Sequence, residues 1–128
     1  MPRGRVYGFL GRNGAGKTTT IRCLLGILRP TAGTIQLGQT EVRQTTTRMK
    51  RRIGYVSQHQ NFYDWMRCDR IGRFVGAFYP TWNHQTYLGL LDRLGVERRQ
   101  RVGELSGGTR MKLAMALALA HGPEVLIL

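Results

Sequence analysis

The sequence predicts an α/β fold, and three observations carry that prediction. An apolar run of strand length, Val6-Tyr7-Gly8-Phe9-Leu10, leads into a glycine-rich loop and then a helical pattern, with Ile21, Leu24, Leu25 and Leu28 on one face. A second β-like run, Ile53-Gly54-Tyr55-Val56-Ser57, stops at Gln58. Near the other end an Ala/Leu-rich helix precedes Val125-Leu126-Ile127-Leu128, a continuous apolar run of the kind found in the middle of a parallel sheet. With 128 residues the chain is long enough for one domain with a real core, but not for two.

The loop carries the chemistry. Residues Gly11 to Thr18 read Gly-Arg-Asn-Gly-Ala-Gly-Lys-Thr and fit the phosphate-loop pattern G-x-x-x-x-G-K-[ST] at every fixed position. Glycines allow the backbone to wrap closely around phosphate oxygens with its N–H groups turned inward, and the helix that starts there adds the positive end of its dipole. A lysine at this place reaches the β- and γ-phosphates, and the next hydroxyl ligates magnesium. The ligand class is therefore a nucleoside triphosphate. The competing reading, a glycine-rich turn without a ligand, is disfavoured because strand, loop and helix occur in the order the motif requires. Pro30 is expected to end the helix.

The remaining elements follow in order. Thr34-Ile35-Gln36-Leu37 alternates as a short strand between turns at Gly33 and Gly38. Asp69 to Phe78 reads as a helix, broken at Pro80; Gln85 to Leu94 reads as another, carrying Leu88, Leu91 and Leu94 and ended by Gly95. Thr109 to Ala120 is almost entirely strong helix formers and is apolar nearly all round after Lys112, so this helix is expected to be buried. His121-Gly122-Pro123 stops it, and His121 reads as a helix-terminal residue facing the dipole. No internal repeat appears.

Composition narrows the class. The two cysteines, Cys23 and Cys68, lack metal-ligand spacing and read as reduced thiols, with Cys23 expected in the core. No signal peptide opens the sequence and no apolar run has the length of a membrane span. The formal net charge is +13, with clusters at Arg48, Lys50, Arg51, Arg52 and at Arg98, Arg99, Arg101. A solvated surface is the first reading of this surplus, a membrane surface or membrane partner the second, and nucleic acid the last, because no stacking aromatics are interleaved with the arginines.

Leu105-Ser106-Gly107-Gly108, about ninety residues after Lys17 and just before the Ala/Leu-rich helix, forms a second motif. A serine and two glycines at a helix N-terminus either cap the helix and nothing more, or bind an anion; a phosphate loop in the same chain favours the anion. The segment resembles the signature motif of ATP-binding cassette (ABC) ATPases, and Gln58 sits where that family has its Q-loop glutamine. The resemblance covers essentially the whole chain, with the motifs in the family's order. It implies a P-loop NTPase (RecA-like) core at 1–60 and 109–128 and a helical subdomain with the signature at 61–108. By resemblance, Lys17 would hold the β- and γ-phosphates and stabilise transferred charge, with the loop from Gly11 through Asn13, Gly14, Ala15 and Gly16 to Thr18 and Thr19 cradling the oxygens. Thr18 would bind Mg2+, with Gln58 at the metal or the attacking water. Ser106, Gly107 and Gly108 would contact the γ-phosphate held by a second subunit, two domains sandwiching two ATP molecules head to tail.

The same resemblance implies an ATPase subunit at the inner face of the cell membrane, cytoplasmic and peripheral, coupled to an integral membrane transport subunit. Phe78-Tyr79-Pro80-Thr81-Trp82 is similar to a segment of bacterial drug and antibiotic exporters. Three departures accompany it. Thr109 stands where the signature normally has glutamine. Only ten residues precede Gly11, fewer than the upstream strands and adenine-stacking aromatic need. The Walker B aspartate and glutamate would follow Leu128, so the chain reads as shortened at both ends, with turnover by the chain alone in question. The alternatives kept open are an ABC-type ATPase acting on nucleic acid or the ribosome, and a nucleotide-binding remnant without turnover.

Overall fold

The computed structural model describes residues 4–37, 40–41 and 47–128. Chain contacts divide it into two units, Met1–Thr46 and Thr47–Leu128. The fold is α/β, as expected, with a parallel strand pair in the second unit.

In the first unit helix α1 spans Lys17–Leu24. Its end differs from the expected one at Pro30. Gly26 adopts φ 64°, Ile27 N–H bonds the Arg22 carbonyl (2.8 Å) and Gly26 N–H the Cys23 carbonyl (3.0 Å). This is a Schellman closure, in which a left-handed glycine captures the last open carbonyls. The apolar periodicity continues to Leu28, but the backbone has already turned. No residue of α1 is buried, and Cys23 is half-buried rather than core. Strand β1, Gln36–Leu37, pairs antiparallel with β2, Thr40–Glu41. Gly33 supplies the expected turn with φ 86°, whereas Gly38 lies outside the described residues.

The strand expected at Val6–Leu10 is not formed. Val6 is 100% and Leu10 92% exposed, and the segment has no ladder partner among the described residues. Apolar character alone does not make a strand; the N–H and C=O groups need a neighbour.

The second unit opens with a single helical turn, α2, at Thr47–Lys50, followed by strand β3 at Ile53–Tyr55. Three helices come next: α3 at Cys68–Gly76, α4 at His84–Leu94 and α5 at Gly107–Leu119. The chain then returns as β4, Val125–Ile127, parallel to β3 with Ile53 opposite Val125 and Tyr55 opposite Ile127. A parallel return requires a crossover, which the three helices provide. Arg52 and Glu124, each just ahead of one strand, form a bidentate ion pair at 2.7 and 2.8 Å that ties the two strand starts together. Helix α5 passes so close to β3 that a Cβ on Gly54 would lie 2.6 Å from the Ala118 carbonyl oxygen. Only glycine fits there.

The core gathers Cys68 and Ile71 from α3, Tyr87 and Leu91 from α4, and Leu113, Ala116 and Leu117 from α5, closed by Val96, Val102 and Leu105. Leu88 and Leu94 pack half-buried against it. From Leu113 onward helix α5 is buried or half-buried, as expected for its apolar stretch after Lys112. Asn83 caps α4 by accepting from Thr86 N–H (2.9 Å), and Gly95 ends it at φ 68°. The segment before α3 is laced to the loop before α5: Arg67 and Arg101 form an antiparallel bridge, and Cys68 N–H bonds the Gln100 carbonyl (3.0 Å). Within this unit three further arginines pair with acids, Arg67 with Asp69, Arg98 with Asp92 and Arg110 with Asp64.

Candidate functional site

The phosphate loop sits in the first unit. Ala15 N–H bonds the Arg12 carbonyl (3.1 Å), making a tight turn through Asn13 and Gly14. Gly14 and Gly16 take φ 83° and 86°, left-handed values that a side chain would resist. Gly16 is also the N-cap of α1, so the helix begins at Lys17 without a side-chain cap and with no acidic residue in its first turn. The open N–H groups and positive dipole end thus face the place the loop encloses. Lys17 Nζ folds back to donate to the carbonyls of Gly11 (2.5 Å) and Arg12 (2.8 Å). These bonds hold the cation over the loop. Thr18 and Thr19 are exposed, and the Thr20 hydroxyl donates to the Gly16 carbonyl (3.0 Å). A hard, exposed hydroxyl oxygen at Thr18 suits Mg2+, which takes few protein ligands and fills its sphere with water and phosphate. Among the described residues no group of three metal-ligating side chains exists, so a cation here would depend on the nucleotide for its remaining ligands.

The other two motifs lie in the second unit. Gln58 is exposed on the loop after β3, whose shape is set by neighbours: the Ser57 hydroxyl donates to the His59 carbonyl (2.5 Å) and Gln60 Nε2 to the Ser57 carbonyl (2.6 Å). Gln60 Nε2 also lies 3.6 Å from Met111 Sδ, which brings this loop beside the start of α5. Ser106 is the N-cap of α5, its hydroxyl accepting from Thr109 N–H at 3.2 Å. Leu105 behind it is buried, while Gly107 and Gly108 are exposed with open space where side chains would stand. Arg110, in the first turn of α5, donates to the Val102 carbonyl (3.3 Å) and is paired with Asp64.

The sequence did not single out a cavity of about 370 Å3 in the second unit, bordered by Tyr55, Ser57, His59, Gln60, Tyr79 and His121. His121 is 3% exposed and stacks on Tyr79 with ring centroids 4.2 Å apart. Burial lowers its pKa, and the nearby carbonyls of Ile53 and Leu117 only partly oppose this; neither ring nitrogen makes a hydrogen bond of normal geometry. The residue is helix-terminal, as expected, but it is a buried neutral imidazole, a burial that the sequence reading did not anticipate. An exposed ring cluster was also missed: Tyr63 contacts Trp65 (6.0 Å) and Phe74 (5.7 Å), and Phe74 contacts Phe78 (5.6 Å). The available signal was the run of aromatics itself, with Phe74 on α3 and Phe78 just past its end at Gly76.

The family profile described as ABC transporter matches residues 1–128. The bacitracin transport ATP-binding protein BcrA of Bacillus licheniformis is 38% identical over 131 residues, covering 100% of this chain and 42% of that protein. The Nod factor export ATP-binding protein I of Burkholderia lata is 39% identical over 131 residues, covering 98% of this chain and 43% of that protein. The chain therefore spans about two fifths of the length of these relatives. Among solved structures, an ATP-binding subunit of an ABC transporter superposes with a TM-score of 0.79 at 23% identity, over 92% of this chain and 52% of its own. The ATP-binding cassette MJ0796, in a dimeric post-hydrolysis state bound to ADP and Pi, superposes with a TM-score of 0.71 at 22% identity, over 88% of this chain and 55% of its own.

Proposed function

Since the chain belongs to the ABC transporter family, we propose that it forms part of a transporter's ATP-binding subunit, in which ATP binding and hydrolysis drive a substrate across a membrane. The observation that carries this reading is the loop Gly11–Thr18, with left-handed Gly14 and Gly16 opening an uncapped helix and Lys17 poised over it. Such a loop binds through backbone N–H groups and one cation, and phosphoryl transfer is then largely positioning and electrostatics. Lys17 holds the β- and γ-phosphates, Gly14 to Thr19 cradle their oxygens, and Thr18 is the protein's ligand to Mg2+, with Gln58 completing the metal and water contacts. When bound, Mg2+ would be held on the protein side by Thr18 and would supply neutralisation of phosphate charge. Residues 1–60 and 109–128 act as the nucleotide-binding core and 61–108 as the helical subdomain. In the family the Walker B acids follow the strand that β4 matches, so no residue of 1–128 is assigned the water-activating role.

The partners follow from the same reading. Ser106, Gly107 and Gly108 face a nucleotide held by a second copy in a head-to-tail pair, in keeping with the dimeric state of a structural relative. A membrane subunit receives the signal through the loop at Gln58 and the exposed rings of Tyr63, Trp65, Phe74 and Phe78 just beyond it, an apolar face of the type that protein partners cover. No helix among the described residues is long and apolar enough to cross a membrane. We place the protein on the cytoplasmic face of the membrane. Export of an antibiotic-like or secreted product is the preferred direction, by likeness to a bacitracin transport protein and a Nod factor export protein.

The test is Lys17→Ala. Loss of the ammonium should weaken ATP binding at least about tenfold, the expected cost of a charge-assisted contact. A fluorescent ATP analogue that binds the variant with unchanged affinity overturns the assignment.

A further inference from the structure

The signature serine does not stand alone in this chain. Ser106 Oγ lies 2.9 Å from Thr109 Oγ1 and 3.2 Å from Thr109 N, so one residue meets it twice. A serine hydroxyl has two acceptor lone pairs and a single proton. The Thr109 N–H fills one lone pair. If the Thr109 hydroxyl donates into the other, both are occupied and the Ser106 proton can only point outward.

We infer that Thr109 is a positioning residue that makes the Ser106 hydroxyl an outward donor to the terminal phosphate of ATP. This rests on reading Ser106–Gly108 as a nucleotide contact. Between two neutral hydroxyls either direction of donation is possible, but an anion at the start of α5 selects one. A bond from Ser106 to phosphate is charge-assisted and about twice as strong as the neutral bond that it would replace. The Thr109 proton then takes the neutral bond, and nothing polar is left unmet.

The surroundings agree. The first turn of α5 carries no acidic residue, and Gly107 and Gly108 leave the approach open. Arg110, the nearest cation in sequence, is engaged by the Val102 carbonyl and Asp64. Ser106 is thus the polar side chain left to meet a phosphate, with Thr109 directing it. Threonine therefore does not simply vacate the place where the family carries glutamine. Its short side chain reaches one target, Ser106, and fixes which atom gives the proton.

The experiment compares Thr109→Val, Thr109→Ser, Ser106→Ala and the double variant in the intact natural protein. It measures self-association driven by a non-hydrolysable ATP analogue against that driven by ADP, alongside nucleotide affinity and melting temperature. Thr109→Val keeps the shape and the capping N–H, so its melting temperature should match the parent's. Its nucleotide affinity at the Lys17 loop should stay within about twofold, while the preference of self-association for the triphosphate falls about three- to tenfold, the cost of a misdirected charge-assisted bond. Thr109→Ser should restore that preference to within about twofold. Ser106→Ala combined with Thr109→Val should be no worse than Ser106→Ala alone, since the two act as one unit. A Thr109→Val protein with the parent's triphosphate preference, a Thr109→Ser protein that fails to restore it, or effects that multiply would each refute the inference. A Ser106→Ala variant that associates like the parent would instead remove the nucleotide reading of the signature itself. Should Thr109→Val unfold, Thr109→Ala supplies the same comparison.

Discussion

At His121 an imidazole sits where charge is costly, and the consequence can be measured. It is buried, stacked on Tyr79, and its pKa is pushed below the ordinary value by desolvation. In the unfolded chain the same group protonates near 6.5. Below that pH the unfolded state binds more protons than the folded one, so stability rises with pH there. The contribution is fully present above about pH 6.5 and is lost as pH falls toward the depressed folded value. His84, whose pKa burial also lowers, shifts stability in the same direction. Melting temperatures measured from pH 7.5 to 5 should therefore fall toward acid, and His121→Phe, which can keep a ring against Tyr79, should flatten the slope. An unchanged slope in the variant would mean that His121 already titrates normally when folded. The phosphate loop was legible in the sequence because its eight residues are contiguous and their chemistry is local. His121 was not, because its burial is supplied by Tyr79 and Ile53, some forty and seventy positions away in the chain.

The helices of the second unit hold together through contacts that differ in kind. Leu91 and Leu113 contribute apolar burial, while Tyr87 adds direction: its ring is fully buried and its hydroxyl donates to the Cys68 carbonyl at 2.6 Å, tying α4 to the first turn of α3. Desolvation raises the phenol's pKa, so it remains a donor throughout the physiological range. Tyr87→Phe keeps the ring and removes that bond, and should cost about 1 kcal/mol in a urea-unfolding series without altering the m-value. A variant as stable as the parent would show that water meets the carbonyl equally well. Elements whose determinants are local matched their sequence patterns well: α4 lies between Asn83 and Gly95, and α5 starts at the Ser106 cap. The mismatches have two causes. Gly26 ends α1 through a backbone closure that the leucine periodicity masks, and Val6–Leu10 has strand composition but no ladder to join. Strand formation depends on distant partners, which a hydrophobic run does not specify.

The two units of the whole molecule are unequally endowed. The second owns the buried side chains of α3, α4 and α5, whereas the described part of the first has no buried residue in α1 and leaves Val6, Phe9, Leu10 and Ile27 exposed. Free energy of local opening should follow that distribution, since few buried contacts mean cheap opening. Amides of α4 and α5 should exchange at rates set by unfolding of their unit, and those of residues 11–24 much faster. Yet the phosphate loop lies in the weaker unit. A ligand that binds only the closed loop stabilises it by RT ln(1 + [L]/Kd), about 2.7 kcal/mol at a hundredfold excess over Kd, which slows exchange there about a hundredfold. Mg2+-ATP should thus protect residues 11–24 most and leave α4 and α5 close to their starting rates, with Lys17→Ala abolishing the effect. Hydrogen-exchange mass spectrometry with and without nucleotide decides the matter. Equal protection of 11–24 and α5 before nucleotide is added would contradict the uneven distribution of stability. Protection that appears on α4 and α5 but not on 11–24 would place nucleotide stabilisation in the second unit, away from the Lys17 loop.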